Sequence, residues 1–475
     1  MCVSIEQNYR KSAMLLLESA PFLASRACCF RWLALMSAGA CMWITHRTAL
    51  LHQTMKAPAS NGESAVLHFL APRHTSAVCN DGTSSGFYYL PAAGSSHWIV
   101  YLMDFGWCYD EESCRARCAA FPARCSSRDW ARTLQEPWDL SKLLAGPDGK
   151  SSLASLENAN RVYVPQCTSD AHMGNSSRFG MQFRGHAVIT ALFAALVQLG
   201  LGSQPHTTLI FGGGSAGGRG AIVHIDYTAG MLVQGGLSPD AAASIRVVGF
   251  FDAAVWLVPS WLDGRRFPNT TSGYDIHGPA GASVPSLTEQ TKRAYQLFHA
   301  THLGAECAER FAADERWRCL FTEFRLPTLR TPYFVSSSQS DSFQLGVDFG
   351  HRGAPRDDAE VAAAASFAAA TRSFGTSLVA SPGHARAFFS WSYHIHQVTD
   401  HDAERGVTDG FRKRQAAGIT MGQAFTSFLD GLVDGRSGLQ QDGTPPEERA
   451  WIAECGSFDC SSVQDAEQKQ NKSSS

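Results

Sequence analysis

Between residues 86 and 390, short apolar runs rich in β-branched and aromatic residues alternate with amphipathic stretches, and that alternation leaves few architectures open. The runs are Gly86–Leu90, Trp98–Met103, Arg161–Pro165, Thr207–Phe211, Ile245–Phe251, Pro332–Ser336 and Ala387–Ser390. Near-continuous apolarity is what a strand buried on both faces requires, so they read as a mainly parallel sheet. Between them, Val188, Leu192, Phe193, Leu196 and Leu199 fall on a helical spacing over Gly185–Gly200, with Gly200 and Gly202 as natural C-caps. Asp357–Arg372 reads as an Ala-rich helix with Asp at its start and Gly375 just past its end. The expectation is an α/β fold, a mainly parallel sheet flanked by helices.

The chain's 475 residues exceed the roughly 250–300 at which single cores stop growing. With no internal repeat, the choice is two domains or one large domain with insertions, and the latter is expected, over residues 76–462. A hydrophobic share of 44% excludes disorder as the main state. The near-balance of 40 Lys+Arg against 43 Asp+Glu, without a long basic run, gives no footprint for nucleic acid. Residues 51–75 read as a linker and 463–475 as a disordered tail.

Arg10, Lys11, Arg26 and Arg31 precede the uncharged run Trp32–Ile44. The run is short for a membrane span, so residues 1–50 read as a targeting segment, either a cleaved signal or a signal-anchor forming an N-terminal membrane anchor. Entry into the secretory pathway is expected, towards the Golgi lumen, the cell wall or the extracellular space. Ten cysteines follow that run, and they could form five disulfides in such a compartment. Three sequons, at Asn175, Asn269 and Asn471, are compatible with it. Cys114-x3-Cys118 lacks the further ligands a zinc site needs, so no metal and no cofactor are expected.

Gly213-Gly-Ser215-Ala-Gly217 matches G-x-S-x-G, and its context is the one this turn demands, a strand directly upstream and a helix start directly downstream. Ser215 is therefore the candidate nucleophile. A serine hydroxyl needs a base to take its proton and an acid to orient that base. Two acids follow strands in the right part of the chain, Asp252 and Asp341. An acid two strands beyond the nucleophile's strand selects Asp341 and leaves Asp252 a structural role. For the base, Trp391-Ser-Tyr-His394-Ile-His396 offers two histidines that would share a face if extended. His394 is preferred, His396 is the alternative, and His401 with Asp400 and Asp402 leaves a metal cluster conceivable. Backbone N–H groups of Ala216, Gly106 and Trp107 are candidate oxyanion donors.

Ala77-Val-Cys79-Asn-Asp-Gly82, Gly106-Trp-Cys108, Ser126-Ser-Arg-Asp-Trp130, Tyr163-Val-Pro-Gln-Cys167-Thr-Ser-Asp170 and Gly214-Ser-Ala-Gly-Gly218 occur in the order found in the pectin acetylesterase/Notum family, which the chain resembles over about residues 76–400. The resemblance implies an α/β-hydrolase fold, a Ser-Asp-His triad at Ser215, Asp341 and His394, oxyanion donors at Gly106, Trp107 and Ala216, no metal, and hydrolysis of carboxylic esters. The Asn-Asp-Gly and Ser-Ser-Arg-Asp-Trp segments look more like the Notum branch, which removes fatty acyl groups from a protein serine; plant members remove acetyl from pectin. Expected substrates are thus acylated polysaccharides, acetyl first, or acylated proteins or lipids. The chain departs from the family at Phe105, where a loop glycine is usual, at Arg219, which replaces Thr, and at Asp252-Ala-Ala-Val-Trp256, which replaces Asp-Ser-Gly-Trp/Phe. A catalytically inactive α/β-hydrolase-like binding protein is the reading from another class.

Overall fold

The computed structural model describes residues 64–70, 76–133, 158–258, 285–351, 353–397, 415–433 and 449–454, with isolated positions 144, 156, 411 and 458. All belong to one compact unit. Residues 1–50, read as a targeting segment, residues 463–475, read as a tail, and Asn269, Asn471, Cys455, Cys460 and residues 400–402 lie outside the described residues.

The sheet has nine strands: β1 (Val66–Phe69), β2 (Gly86–Leu90), β3 (His97–Leu102), β4 (Asn160–Val164), β5 (Thr208–Gly214), β6 (Arg246–Asp252), β7 (Tyr333–Ser338), β8 (Arg386–Trp391) and β9 (Ala450–Ile452). They lie in the order β1-β2-β4-β3-β5-β6-β7-β8-β9. β2 runs antiparallel to both neighbours, and every other pairing is parallel. This is the α/β-hydrolase-like architecture expected. β1 lies within the stretch read as linker, so the sheet begins ahead of Ser76.

Period-two alternation explains why the strands sit between two layers. Trp98, Val100 and Leu102 of β3 join one core, with helices α2 (Gly185–Gln198) and α6 (Asp358–Ala380). Ile99 and Tyr101 join the opposite core, with α7 (Met421–Val433). A third cluster, around Trp107 and Trp256, packs α4 (Leu287–Phe298) over the sheet's C-terminal edge.

α2 ends as expected: Gly200 takes φ 107°, and the Leu201 amide reaches back to the Leu196 carbonyl. α6 starts as expected, with the Asp357 side chain accepting from the Glu360 amide, but it runs past Gly375 to Ala380. Gly375 is not a stop. A Cβ there would overlap the Phe388 ring, so the glycine lets α6 lie directly on β8.

Cys79–Cys167, Cys108–Cys114, Cys118–Cys125 and Cys307–Cys319 are bonded. Asn175 is exposed. Among the described residues no helix is long and apolar enough to cross a membrane.

Candidate active site

β5 runs to Gly214 and hands directly into α3 (Ser215–His224), leaving Ser215 at φ 48°, the left-handed region that non-glycine residues seldom occupy. The surrounding glycines make that turn possible. A Cβ on Gly217 would overlap the Leu102 carbonyl oxygen, and one on Gly218 would lie 2.8 Å from the Ala254 Cβ. The elbow therefore sits tight against β3 and the segment after β6, with Ser215 only 5% exposed.

Asp341 follows β7 and is the N-cap of α5 (Ser342–Phe349); its Oδ1 accepts from the Phe343 and Gln344 amides at 3.0 and 2.8 Å. Its Oδ2 accepts from His396 Nδ1 at 2.8 Å. An ionised carboxylate can only accept, so the proton is on Nδ1 and Nε2 of the neutral ring has a free lone pair. That Nε2 lies 2.6 Å from Ser215 Oγ. Ser215, His396 and Asp341 thus form one hydrogen-bonded line.

The structure brings His396, not the preferred His394, against Ser215 and Asp341. His394 is buried and directs Nδ1 to the Ser340 carbonyl at 2.9 Å, so His396 holds the position expected of His394. The reason is local. After β8 the chain bends, with the Ile395 amide on the Tyr393 carbonyl at 2.9 Å, and the shared face of an extended segment is lost. Asp252, at the end of β6, is fully buried and accepts from Ser336 Oγ at 2.8 Å, in keeping with the structural role expected.

His396 is held above the ordinary imidazole range. Burial opposes its charge, but the Asp341 carboxylate, by charge and hydrogen bond, and then Asp104 and Asp252 outweigh it. The arrangement can take a proton from Ser215 and stabilise the resulting imidazolium.

Gly106 and Trp107 follow β3 in the strained turn Asp104-Phe-Gly-Trp, where Phe105 takes φ 111° and Gly106 φ 63°. Phe105 stands where the family usually has glycine, and its neighbours hold it. Its ring meets Phe121 edge-on at 4.8 Å and lies under the guanidinium groups of Arg124 at 4.6 Å and Arg117 at 5.3 Å. Arg117, fully buried on α1 (Glu111–Ala120), also donates to the Phe105 carbonyl, to Ser169 Oγ and to Gln166 Oε1. Ala216 is buried at the start of α3, where helix amides have no intrahelical partner.

The motif residue Asp170 has a building role. It accepts from the Gly174 and Gly185 amides and from Thr168 Oγ1, and burial pushes its carboxyl up to about 6. Arg219 brings its charge to the turn after β3: its guanidinium lies 4.5 Å from the Trp107 ring centre and donates to the Leu320 carbonyl and Thr291 Oγ1. Trp256, the other departure, packs edge-on against Trp107, Phe343 and His396.

Sequence reasoning missed a second cluster. His186, His224 and His302 converge with ligand-capable nitrogens all within 4.8 Å of one another. They are far apart in the chain and show no metal-site spacing, so no sequence signal marked them.

Residues 59–408 match the Pectinacetylesterase family. The chain is 29% identical over 289 residues to palmitoleoyl-protein carboxylesterase notum2 of Xenopus laevis, covering 60% of this chain and 54% of that protein. It is 31% identical over 292 residues to palmitoleoyl-protein carboxylesterase NOTUM of Homo sapiens, covering 61% and 53%. Pectin acetylesterase 7 of Arabidopsis thaliana is 25% identical over 278 residues, covering 57% and 60%. The chain spans about half the length of the first of these relatives.

Proposed function

The chain belongs to the pectinacetylesterase family, and we propose that it is a serine carboxylic-ester hydrolase whose base is His396. The carrying observation is the line Ser215 Oγ, His396 Nε2, His396 Nδ1, Asp341 Oδ2, with links of 2.6 and 2.8 Å.

His396 takes the Ser215 proton as Oγ attacks the ester carbonyl carbon. The carbonyl oxygen becomes an oxyanion facing the amides of Ala216, Gly106 and Trp107. Each such donor is worth about 3 kcal/mol of barrier. The tetrahedral intermediate collapses, His396 gives its proton to the leaving alkoxide, and an acyl-serine remains. Water, deprotonated by His396, attacks that acyl group and releases the carboxylic acid, and Ser215 regains its proton. Asp341 stays ionised throughout and fixes the tautomer.

A short acyl group, acetyl on a polysaccharide, is the first substrate. Trp107, Trp256 and Phe343 pack against one another, and Trp256 and Phe343 meet the His396 ring; this aromatic bulk next to the base supports a short acyl group. A second reading, removal of a fatty acyl group from a protein, is favoured by higher identity to the palmitoleoyl-protein carboxylesterases than to the plant enzyme. The disulfides fit a protein working in the oxidising lumen of the secretory pathway or outside the cell.

The test is turnover of p-nitrophenyl acetate, butyrate and octanoate by the full chain, with labelling by an active-site fluorophosphonate. Hydrolysis that favours acetate, with labelling lost in Ser215→Ala, is expected. Preference for octanoate would replace acetyl with the longer acyl. No turnover and no labelling would leave the protein a binding module.

A further inference from the structure

On the far end of the nucleophile helix from Ser215, three imidazoles from separate elements meet. His224 ends α3, His186 lies in the first turn of α2, and His302 lies in the turn after α4. His224 Nδ1 and His302 Nδ1 are 3.0 Å apart, and the His186 and His302 rings meet edge-on with centres 4.4 Å apart. His224 is fully buried and the other two are half-buried.

The tautomer of His224 is fixed by its other nitrogen. Nε2 lies 2.8 Å from the His172 carbonyl, which can only accept, so Nε2 carries the hydrogen and Nδ1 presents a lone pair to the cluster. A backbone carbonyl holding the remote N–H of an imidazole is the outer-shell arrangement typical of metal-bound histidine. His186 supplies the second observation. Its buried Nδ1 has no hydrogen-bond partner among the described residues. Tyr227 stacks on His302 at 3.8 Å with rings 10° apart, which holds that imidazole in place.

We propose that His186, His224 and His302 bind a divalent transition-metal ion, Zn²⁺ first. Imidazole nitrogens suit that ion, and ligands about 2.0–2.1 Å from a tetrahedral centre stand about 3.3 Å apart, near the spacing of the two Nδ1 atoms. Three neutral ligands leave one position for water. The ion would tie the end of α3 to α2 and to the turn after α4. It takes no part in the ester chemistry proposed at Ser215. The competing account, a plain hydrogen bond from His302 to His224, gives His186 no role.

The test uses the full disulfide-bonded chain, stripped with a chelator, dialysed and titrated with Zn²⁺ by calorimetry and with Co²⁺ by visible absorption. One ion per chain, four-coordinate Co²⁺ bands and a melting temperature raised by Zn²⁺ are expected. His302→Gln and His186→Gln should each weaken binding at least about tenfold and abolish the thermal shift. His206→Gln, an exposed control, should change neither. Fluorophosphonate labelling or far-ultraviolet dichroism reports whether each variant is folded, and two independent ligand variants guard against one failing. Absence of saturable binding in the wild-type chain, or binding unchanged in both folded variants, overturns the proposal.

Discussion

Replacing Phe105 separates backbone strain from side-chain packing in the turn after β3. A non-glycine residue at φ 111° costs about 1–3 kcal/mol, a cost that glycine does not carry. Against it stand the edge-on contact with Phe121, about 0.5–1.5 kcal/mol, and two guanidinium–ring contacts at about 0.5–1 kcal/mol each. The two sides nearly cancel, so Phe105→Gly should change unfolding free energy by less than about 1 kcal/mol. Phe105→Ala loses the ring contacts and keeps the strain, so it should be less stable than Phe105→Gly by about 1–2 kcal/mol, reversing the usual alanine-over-glycine order. Guanidinium denaturation of the three disulfide-intact proteins measures both differences. If Phe105→Ala is as stable as Phe105→Gly or more so, the turn stores no strain and the argument fails. The freer turn of Phe105→Gly should also lower kcat for p-nitrophenyl acetate more than it raises KM.

His396→Ala should reduce kcat for p-nitrophenyl acetate by at least about 10³-fold, while His394→Asn stays within about tenfold; steady-state kinetics on both tells which imidazole is the base. Because Asp341 holds His396 above the ordinary imidazole value, and the protonated ring cannot accept the serine proton, activity should fall as pH drops through a midpoint above 6.5, read from the acid limb of kcat/KM. The Cys79–Cys167 bond closes 88 residues, and chain-entropy arithmetic gives about 4.6 kcal/mol against about 2.4 kcal/mol for Cys118–Cys125, which closes 7. Double Cys→Ser variants at each pair should differ in denaturation midpoint in that order.

Much of the sheet was legible because its strands are buried on both faces and carry an unbroken apolar signal, as in Gly86–Leu90, whose predicted and observed ends agree. Strand ends near the site were less so. Thr207–Phe211 reads as finished before the glycines, yet β5 continues through Gly212-Gly213-Gly214, because there the backbone needs glycine to pass Phe250, Leu102 and Tyr101. β1 was hidden as a two-sided edge strand, with Val66 and Phe69 exposed. Gly375 read as a stop because a glycine near a helix end has the same local sequence whether it caps the helix or admits a neighbouring ring. That distinction exists only in the packing of α6 on β8.

The site divides along the same line. Ser215 was singled out by the G-x-S-x-G motif between a strand and a helix, and Asp341 by the order of elements; the topology carries the ends of β5 and β7 to one edge of the sheet. The choice between His394 and His396 depends on a turn of three residues, and the chain position that favoured His394 carries no sign of that turn. Asp341 makes the outcome physical: its Oδ1 is committed to capping α5, so Oδ2 has one direction left, and only a histidine on that side can reach it. Asp341→Asn tests this coupling. The amide oxygen can still cap α5, but an NH2 group then faces His396 Nδ1 and forces the opposite tautomer, with the hydrogen on Nε2 towards Ser215. Stability should therefore drop by only about 1 kcal/mol while kcat falls by about 10⁴-fold. A loss of stability of several kcal/mol, or retained turnover, would mean that capping the helix and orienting the base are not joined in this one carboxylate.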